Sequence, residues 1–237
     1  MDTQRLVLAR KLTAELLGTS FLLIAVVGSG IMAQRLSPND VGLQLLENAV
    51  ATAGALVGLI LMLGPISGAH FNPAVTLSFR LFRAQSNLET VTYICAQIIG
   101  GCMGTILANV MFDLSAINMS AKVRTSGSLW LSEVIATIGL LVLIHGIVRS
   151  GRGSVVAFAV GAWIGGAYWF TSSTSFANPA VTIARTLSDT FAGIKPSSAP
   201  MFIIMQLLGV VVAVGLVAFL YPVDHSQPEA EPSTEDP

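Results

Sequence analysis

Long apolar runs, separated by short polar stretches, dominate the pattern of hydrophobic positions along the chain. A helix that spans a membrane needs about 20 consecutive, mostly apolar residues. Unbroken runs of this kind favour helices over the alternating strands of about 10 residues that build an outer-membrane barrel. Six segments meet or nearly meet the helical requirement, and we expect a spanning helix in each: 9–33, 45–63, 91–112, 129–148, 155–170 and 201–221.

The composition excludes several other classes of protein. Hydrophobic residues make up 53% of the chain and charged residues 11%, against about 25% charged residues in a typical soluble domain. A net charge of -1 leaves no basic surface for nucleic acid, and two cysteines cannot form a disulfide framework. We therefore predict an integral membrane protein that binds no nucleic acid. Its first apolar run lacks a cleavage-like ending and is expected to be retained.

The basic residues favour an orientation with both termini in the cytoplasm, because Lys and Arg accumulate in cytoplasmic segments. With the termini inside, the inner segments hold the larger set: Arg5, Arg10, Lys11, Arg80, Arg83, Arg149 and Arg152. The outer loops hold the smaller set: Arg35, Lys122, Arg124 and Lys195. Residues 1–8 then form a cytoplasmic N-terminus. The acidic, Pro-rich residues 222–237 are expected to form a disordered cytoplasmic tail.

The chain contains a weak internal repeat. The pentapeptide Asn-Pro-Ala-Val-Thr occurs at 72–76 and again at 178–182. In both halves a Glu-x-x-x-Thr pattern precedes it, starting at Glu15 and Glu133, and a Gln-x-x-Gly pattern follows it. Each half, about 9–112 and 129–221, has three spans, so the second half is inverted relative to the first. Inverted repeats are typical of transport proteins, with the site at the repeat interface.

Each pentapeptide marks the start of a helix that is too short to span a membrane. Asn is a favourable N-cap and Pro is favoured at the first helical position, so 73–82 and 179–187 are predicted half-helices. The non-helical segments before them are tolerated at membrane depth only where they are buried in protein or line a wet cavity. Because the halves are inverted, the half-helix N-termini are expected to meet near the midplane, where their dipoles would repel cations.

Together these features resemble the aquaporin and glycerol-facilitator superfamily over about residues 10–221. The resemblance is carried by the two Asn-Pro-Ala motifs, by Ser-Gly-Ala-His-Phe at 67–71 and by the paired Glu-x-x-x-Thr patterns. It implies an all-α membrane protein with six transmembrane helices and two re-entrant half-helices. It also implies a pore in each protomer, a homotetramer in the lipid bilayer, and passive transport without catalysis, cofactor or metal.

The resemblance implies roles for individual residues. Asn72 and Asn178 would donate hydrogen bonds to permeants at the pore centre. Glu15 and Glu133 would accept hydrogen bonds from the re-entrant backbone, which agrees with the high cost of an unpartnered carboxylate in a membrane. A ladder of backbone carbonyl acceptors would come from six residues: Gly68, Ala69, His70, Thr174, Ser175 and Phe176.

The selectivity filter departs from the family pattern. Most members place an arginine directly after the second Asn-Pro-Ala, where this chain has Val181. Ungapped alignment to the family spacing assigns Thr52, Gly166 and Ser175 to the other filter positions. This set has neither ring nor charge and predicts a wide, mildly polar filter. Arg185 lies one helical turn after Val181 and either returns a positive charge to the outer vestibule or snorkels to lipid headgroups.

These filter substitutions resemble the bacterial branch associated with arsenic-resistance operons. Trihydroxyarsenic is uncharged at neutral pH and is similar to glycerol in its array of hydroxyl groups. We therefore expect a channel for arsenite and related solutes in the bacterial inner membrane, and a general glycerol and water facilitator is the alternative. A coupled secondary transporter and a membrane scaffold with a vestigial pore are the alternatives from other classes.

Overall fold

The computed structural model describes residues 3–222, and the helices in this part of the chain confirm the predicted all-α membrane architecture. Six helices are long and apolar enough to cross a membrane. The bounds of these spanning helices are α1 Thr3–Leu36, α2 Val41–Ser67, α4 Asn87–Met111, α5 Gly127–Arg149, α6 Val156–Phe170 and α8 Ala199–Leu220. Residues 3–8, predicted as a separate N-terminus, belong to α1, and 223–237 of the predicted tail lie outside the described residues.

The two short helices begin where the pentapeptides predict. Helix α3 runs over Pro73–Leu81 and α7 over Pro179–Ala184, each with Asn as N-cap and Pro in the first turn. Helix α7 is shorter than expected because its last part, Arg185–Leu187, tightens into a 3₁₀ turn.

Close packing at small residues joins the helices within each repeat. An ideal Cβ on Gly104 of α4 would lie 2.1 Å from the Ser20 carbonyl oxygen of α1. In the second half, a Cβ on Gly209 of α8 would lie 2.8 Å from Thr137 Cβ of α5. Each interface therefore excludes even a methyl group, as is common where membrane helices pack at small residues. The half-helices are thereby surrounded by tightly packed spanning helices.

The connection between the two halves, residues 112–126, folds back over the end of α7. Ser120 N donates to the Thr186 carbonyl oxygen at 2.9 Å, and Lys195 N donates to the Lys122 carbonyl oxygen at 2.7 Å. The carboxylate of Asp189 accepts from Ala121 N at 2.9 Å. This connection is therefore held beside the second half-helix by main-chain hydrogen bonds and by the Asp189 carboxylate.

Candidate functional site

The N-termini of the two half-helices meet in the interior of the described chain. Asn72 Nδ2 donates to the Ala177 carbonyl oxygen at 2.8 Å, and Asn178 Nδ2 donates to the Phe71 carbonyl oxygen at 2.8 Å. The Oδ1 of each Asn caps its own helix, accepting for example from Ala74 N at 2.8 Å. Each amide makes one contact of this kind through Nδ2, so its second N–H is available to a solute.

A buried carboxylate holds the non-helical segment before the first half-helix. Glu15 Oε1 accepts from Ser67 Oγ at 2.6 Å and from His70 N at 3.0 Å. Glu15 Oε2 accepts from Phe71 N at 2.7 Å and from Gln97 Nε2 at 2.7 Å. These contacts supply the partners that a buried polar group in a membrane protein requires.

The second repeat reproduces this arrangement with one contact fewer. Glu133 Oε1 accepts from Phe176 N at 3.0 Å, and Oε2 accepts from Ala177 N at 2.9 Å and from Gln206 Nε2 at 2.6 Å. All three donors are N–H groups, so the two carboxyl oxygens of Glu133 act as acceptors in every one of these hydrogen bonds.

The same segments hold side-chain-bearing residues in left-handed backbone conformations. The φ angles are 50° at Ala69 and 47° at Phe71, and the second repeat has 50° at Ser175 and 47° at Ala177. Each such residue costs about 1 kcal/mol or more. The glutamate contacts to these segments offset that cost. The ladder carbonyls at 68–70 and 174–176 accept no hydrogen bond from elsewhere in the described chain, so their lone pairs are available to a solute.

A cavity runs beside the junction of the two half-helices. Both motif asparagines line it, together with most of the ladder residues, namely Gly68, Ala69, His70, Ser175 and Phe176. Thr174 is not part of this lining. Much of the remaining wall is aliphatic: Leu22, Val26, Leu56, Ile60, Val75, Leu140, Ile144, Val148, Val156, Val160 and Ile164. The cavity thus combines a row of hydrogen-bonding groups with a wall that offers a polar solute few partners.

Three of the four residues assigned to the filter line this cavity: Thr52, Ser175 and Val181. The Oγ of Ser175 is buried and has no hydrogen-bond partner within residues 3–222. A buried hydroxyl without a protein partner is costly unless a solute or water satisfies it. Ser175 therefore presents a free hydroxyl to whatever occupies the cavity.

The structure does not place Gly166 on the cavity wall. Gly166 is exposed, and a Cβ added there would meet only the Phe170 ring, at 3.6 Å. Tyr168 lines the cavity instead, and its hydroxyl lies 3.2 Å from Thr52 Oγ1. Two residues along a helix correspond to about 200°, so positions 166 and 168 cannot face the same side. The cavity wall beside Thr52 therefore carries an aromatic ring, which the predicted filter set lacked.

The predicted filter set also lacked a charge, whereas the cavity wall carries one. Arg185 lines the cavity and is 2% exposed, so it does not snorkel to the membrane surface. Its guanidinium carbon lies 3.5 Å from the centroid of the Phe176 ring, and its Nε donates to the Ala192 carbonyl oxygen. A positive charge therefore borders the cavity although position 181 is Val.

Sequence reasoning missed a second buried arginine, Arg124 in the 112–126 connection. Its Nε donates to the Gly193 carbonyl oxygen at 2.9 Å, and its Nη1 donates to the Ser173 carbonyl oxygen at 3.3 Å. Its guanidinium carbon lies 5.1 Å from the Phe176 ring centroid. Burial lowers the pKa of Arg124 to about 10, so it remains a cation at neutral pH. The sequence marks it only as a basic residue of a loop.

Comparison with known proteins agrees with this geometry. Residues 2–171 and 150–235 match the family model described as major intrinsic protein. The chain is 49% identical over 213 residues to aquaglyceroporin AqpS of Rhizobium meliloti, covering 90% of this chain and 91% of that protein. It is 30% identical over 241 residues to the probable aquaporin AqpM of Archaeoglobus fulgidus, covering 90% and 97% respectively. The X-ray structure of the aquaglyceroporin from Plasmodium falciparum shares the fold, with a TM-score of 0.72 at 20% identity, covering 90% of this chain and 96% of that one.

Proposed function

Since the chain belongs to the major intrinsic protein family, whose members are passive membrane channels and not enzymes, we propose that it conducts small neutral solutes carrying several hydroxyl groups. The single observation that carries this proposal is the cavity beside the half-helix junction. One part of its wall carries carbonyl acceptors and amide donors without a protein partner, and much of the remaining wall is aliphatic. A hydroxylated solute can exchange its water for these groups and still leave easily.

The donors and acceptors of the cavity match a hydroxyl group, which both donates and accepts. The ladder carbonyls accept, the free N–H groups of Asn72 and Asn178 donate, and the Ser175 hydroxyl does either. The same cavity disfavours a cation, because a cation there faces the N-termini of the two half-helices and the guanidinium of Arg185.

Among such solutes we assign trihydroxyarsenic as the main permeant, with glycerol conducted as well. Trihydroxyarsenic is neutral and presents three hydroxyl groups, as glycerol does, and the sequence Asn-Pro-Ala-Val-Thr-Ile-Ala-Arg at 178–185, with Val181 after the second Asn-Pro-Ala, resembles the arsenic-operon branch. Two of the similar proteins are named aquaglyceroporins. A glycerol and water facilitator that excludes arsenite is the second candidate, and the Tyr168 ring at the cavity favours it because a ring narrows the filter.

The test is solute flux into proteoliposomes containing the purified chain. Water and glycerol are followed by stopped-flow light scattering, and arsenite by elemental analysis of the arsenic content of collected vesicles. Glycerol flux with arsenite at the level of empty vesicles would select the second candidate. Saturable uptake abolished by an uncoupler would identify a coupled transporter. The absence of flux for every solute would support the membrane scaffold with a vestigial pore.

A matched pair of variants tests the filter in the same assay. Val181→Arg introduces a long charged side chain at a buried position on the cavity wall. We expect it to lower arsenite and glycerol flux at least about tenfold and water flux less, because the wider solutes lose most from a narrower filter. Val181→Leu adds volume without charge and is the control. Unchanged glycerol flux in Val181→Arg would contradict the filter assignment.

We also propose that the protein is a homotetramer in the bacterial inner membrane, with both termini in the cytoplasm. The distribution of basic residues supports the orientation. Large aliphatic side chains exposed along the spanning helices, such as Leu131 and Val211, support contact with lipid or other protomers. Native mass spectrometry from mild detergent measures the assembly, and reporter fusions at each terminus measure the orientation.

A further inference from the structure

Three cations converge on three consecutive backbone carbonyls near the end of α7. Lys122 Nζ donates to the Phe191 carbonyl oxygen at 2.8 Å. Arg185 Nε donates to that of Ala192, and Arg124 Nε donates to that of Gly193 at 2.9 Å. We call residues 191–193 the carbonyl triplet. Lys122 is exposed, whereas Arg185 and Arg124 are 2% and 8% exposed, so two of the three cations are buried.

Neither buried guanidinium group lies within salt-bridge distance of a carboxylate in the described part of the chain, where the ion pair found joins Lys11 to Glu89. The Glu133 carboxylate acts on both guanidinium groups only at longer range. Burying an unpaired charge is expensive, and carbonyl dipoles and aromatic faces recover only part of that cost. A buried ionisable group in a membrane segment is by default a candidate functional residue. This arrangement is therefore costly for stability and calls for a role in transport.

Phe176 links the two guanidinium groups. The Arg185 and Arg124 guanidinium carbons lie 3.5 Å and 5.1 Å from its ring centroid, both within the range of a cation–π contact. Phe202 packs edge-on against the same ring at 5.1 Å and fixes its position. Arg185 lines the cavity, whereas Arg124 is not part of the lining. The terminal nitrogens of Arg185 donate to no residue of the described chain.

Provided that the chain is the channel proposed above, we propose that Arg185 is the specificity-determining cation of its filter and that Arg124 is the residue that positions it. Arg185 presents its terminal N–H groups to the oxygen atoms of a neutral solute and repels cations. Arg124 acts from behind, through the carbonyl triplet and the Phe176 ring, and holds the Arg185 side chain against the cavity wall.

The chain provides little room for this arrangement to relax. A Cβ added to Gly193 would lie 2.4 Å from both Ser120 Oγ and the Ser188 carbonyl oxygen. The backbone of Arg124 is held as well, because its N–H donates to Ser198 Oγ at 3.2 Å. The carbonyl triplet is thus fixed between two segments of the chain. Its carbonyls therefore hold the two guanidinium groups at a set position.

The experiment compares sodium leak with glycerol flux in proteoliposomes of variants. Arg185→Gln removes the filter cation and is expected to raise sodium leak at least about tenfold, because a charge close to the permeation path is lost. Arg124→Gln is expected to raise the leak less. The double variant is expected to equal Arg185→Gln alone, because a positioning residue has no effect once the residue that it positions is gone.

Two further variants separate positioning from a general structural effect. Arg124→Lys keeps the charge but cannot donate to both the Gly193 and the Ser173 carbonyl oxygens. Its sodium leak should therefore lie between those of the wild type and Arg124→Gln. The melting temperature of each variant is measured as a check on correct folding. Lys122→Gln is the matched control, since Lys122 also contacts a triplet carbonyl and a ring, at 4.9 Å from the Phe191 centroid, but is exposed. It should leave the ratio of sodium leak to glycerol flux unchanged.

The outcomes distinguish this inference from the proposed function. Wild-type vesicles that pass no hydroxylated solute would overturn the proposed function and this inference with it. Normal wild-type flux with an unchanged sodium leak in Arg185→Gln would overturn this inference alone. Additive effects of the Arg124→Gln and Arg185→Gln changes, or an equal loss of every flux in Arg124→Gln, would overturn the positioning role of Arg124.

Discussion

Replacing the Glu133 carboxylate by an amide tests how the second re-entrant segment is held. The carboxylate accepts from Phe176 N, Ala177 N and Gln206 Nε2 at 2.6–3.0 Å. In Glu133→Gln, one oxygen becomes an NH₂ group that faces at least one of these donors. At least one charge-assisted hydrogen bond is lost, and two buried N–H groups are left facing each other.

The expected destabilisation follows from these contacts. Losing a hydrogen bond to a charged group costs about 1.5–3 kcal/mol, and a buried donor left unsatisfied costs about 1–3 kcal/mol. We therefore expect Glu133→Gln to lower the free energy of unfolding by about 2.5–6 kcal/mol. For a chain of this size, that corresponds to a fall in melting temperature of roughly 5–24 °C. Glycerol flux should fall as well, because the backbone at Phe176 and Ala177 loses its anchor.

The measurement is thermal unfolding in detergent, followed by intrinsic fluorescence, together with glycerol flux in vesicles. Glu89→Gln is the matched control, because Glu89 makes one ion pair, to Lys11 at 2.8 Å, and is partly exposed. An exposed pair of this kind contributes about 1 kcal/mol at most. A Glu133→Gln protein that melts within 2 °C of the Glu89→Gln control and conducts normally would refute the anchoring role.

Three further predictions follow from the packing, the cavity wall and the loop. Gly104→Ala should lower stability by about 1–3 kcal/mol because its Cβ would overlap the neighbouring backbone. Gly215→Ala should not destabilise, because a Cβ there would meet no atom of residues 3–222 within 4 Å, and thermal unfolding of both variants decides this. Tyr168→Ala should raise the ratio of erythritol to glycerol flux several-fold and Gly166→Ala should leave it unchanged; the reverse pattern would restore Gly166 to the filter. Although Lys122 is exposed as a whole, desolvation of its ammonium end first, and nearby guanidinium charges second, lower the pKa of Lys122 to about 8. Because its neutral form is favoured, amine-reactive labelling of Lys122 should rise with a midpoint near pH 8, and a midpoint above pH 10 would contradict this.

The spanning helices and half-helices could be predicted because their signals are local. Length and hydropathy define a span, and Asn followed by Pro favours a helix start, as at Pro73 and Pro179. The anchoring glutamates could also be predicted, since a carboxylate in an apolar run has to find donors inside the protein. The identities of those donors, such as Gln206, followed only from the folded chain.

The sequence alone determined the membrane architecture, the inverted repeat and the meeting of Asn72 and Asn178, because hydrophobic length, capping chemistry and repeat symmetry leave few alternatives. The tertiary structure decided which side chains border the filter. Helix α6 is apolar around its whole circumference, so its rotation is set by close contact of Gly161 and Gly165 with Ala53 of α2, and this turns Tyr168 toward the cavity. The contact between Arg124 and the carbonyl triplet likewise joins positions distant in sequence, and no local pattern encodes it.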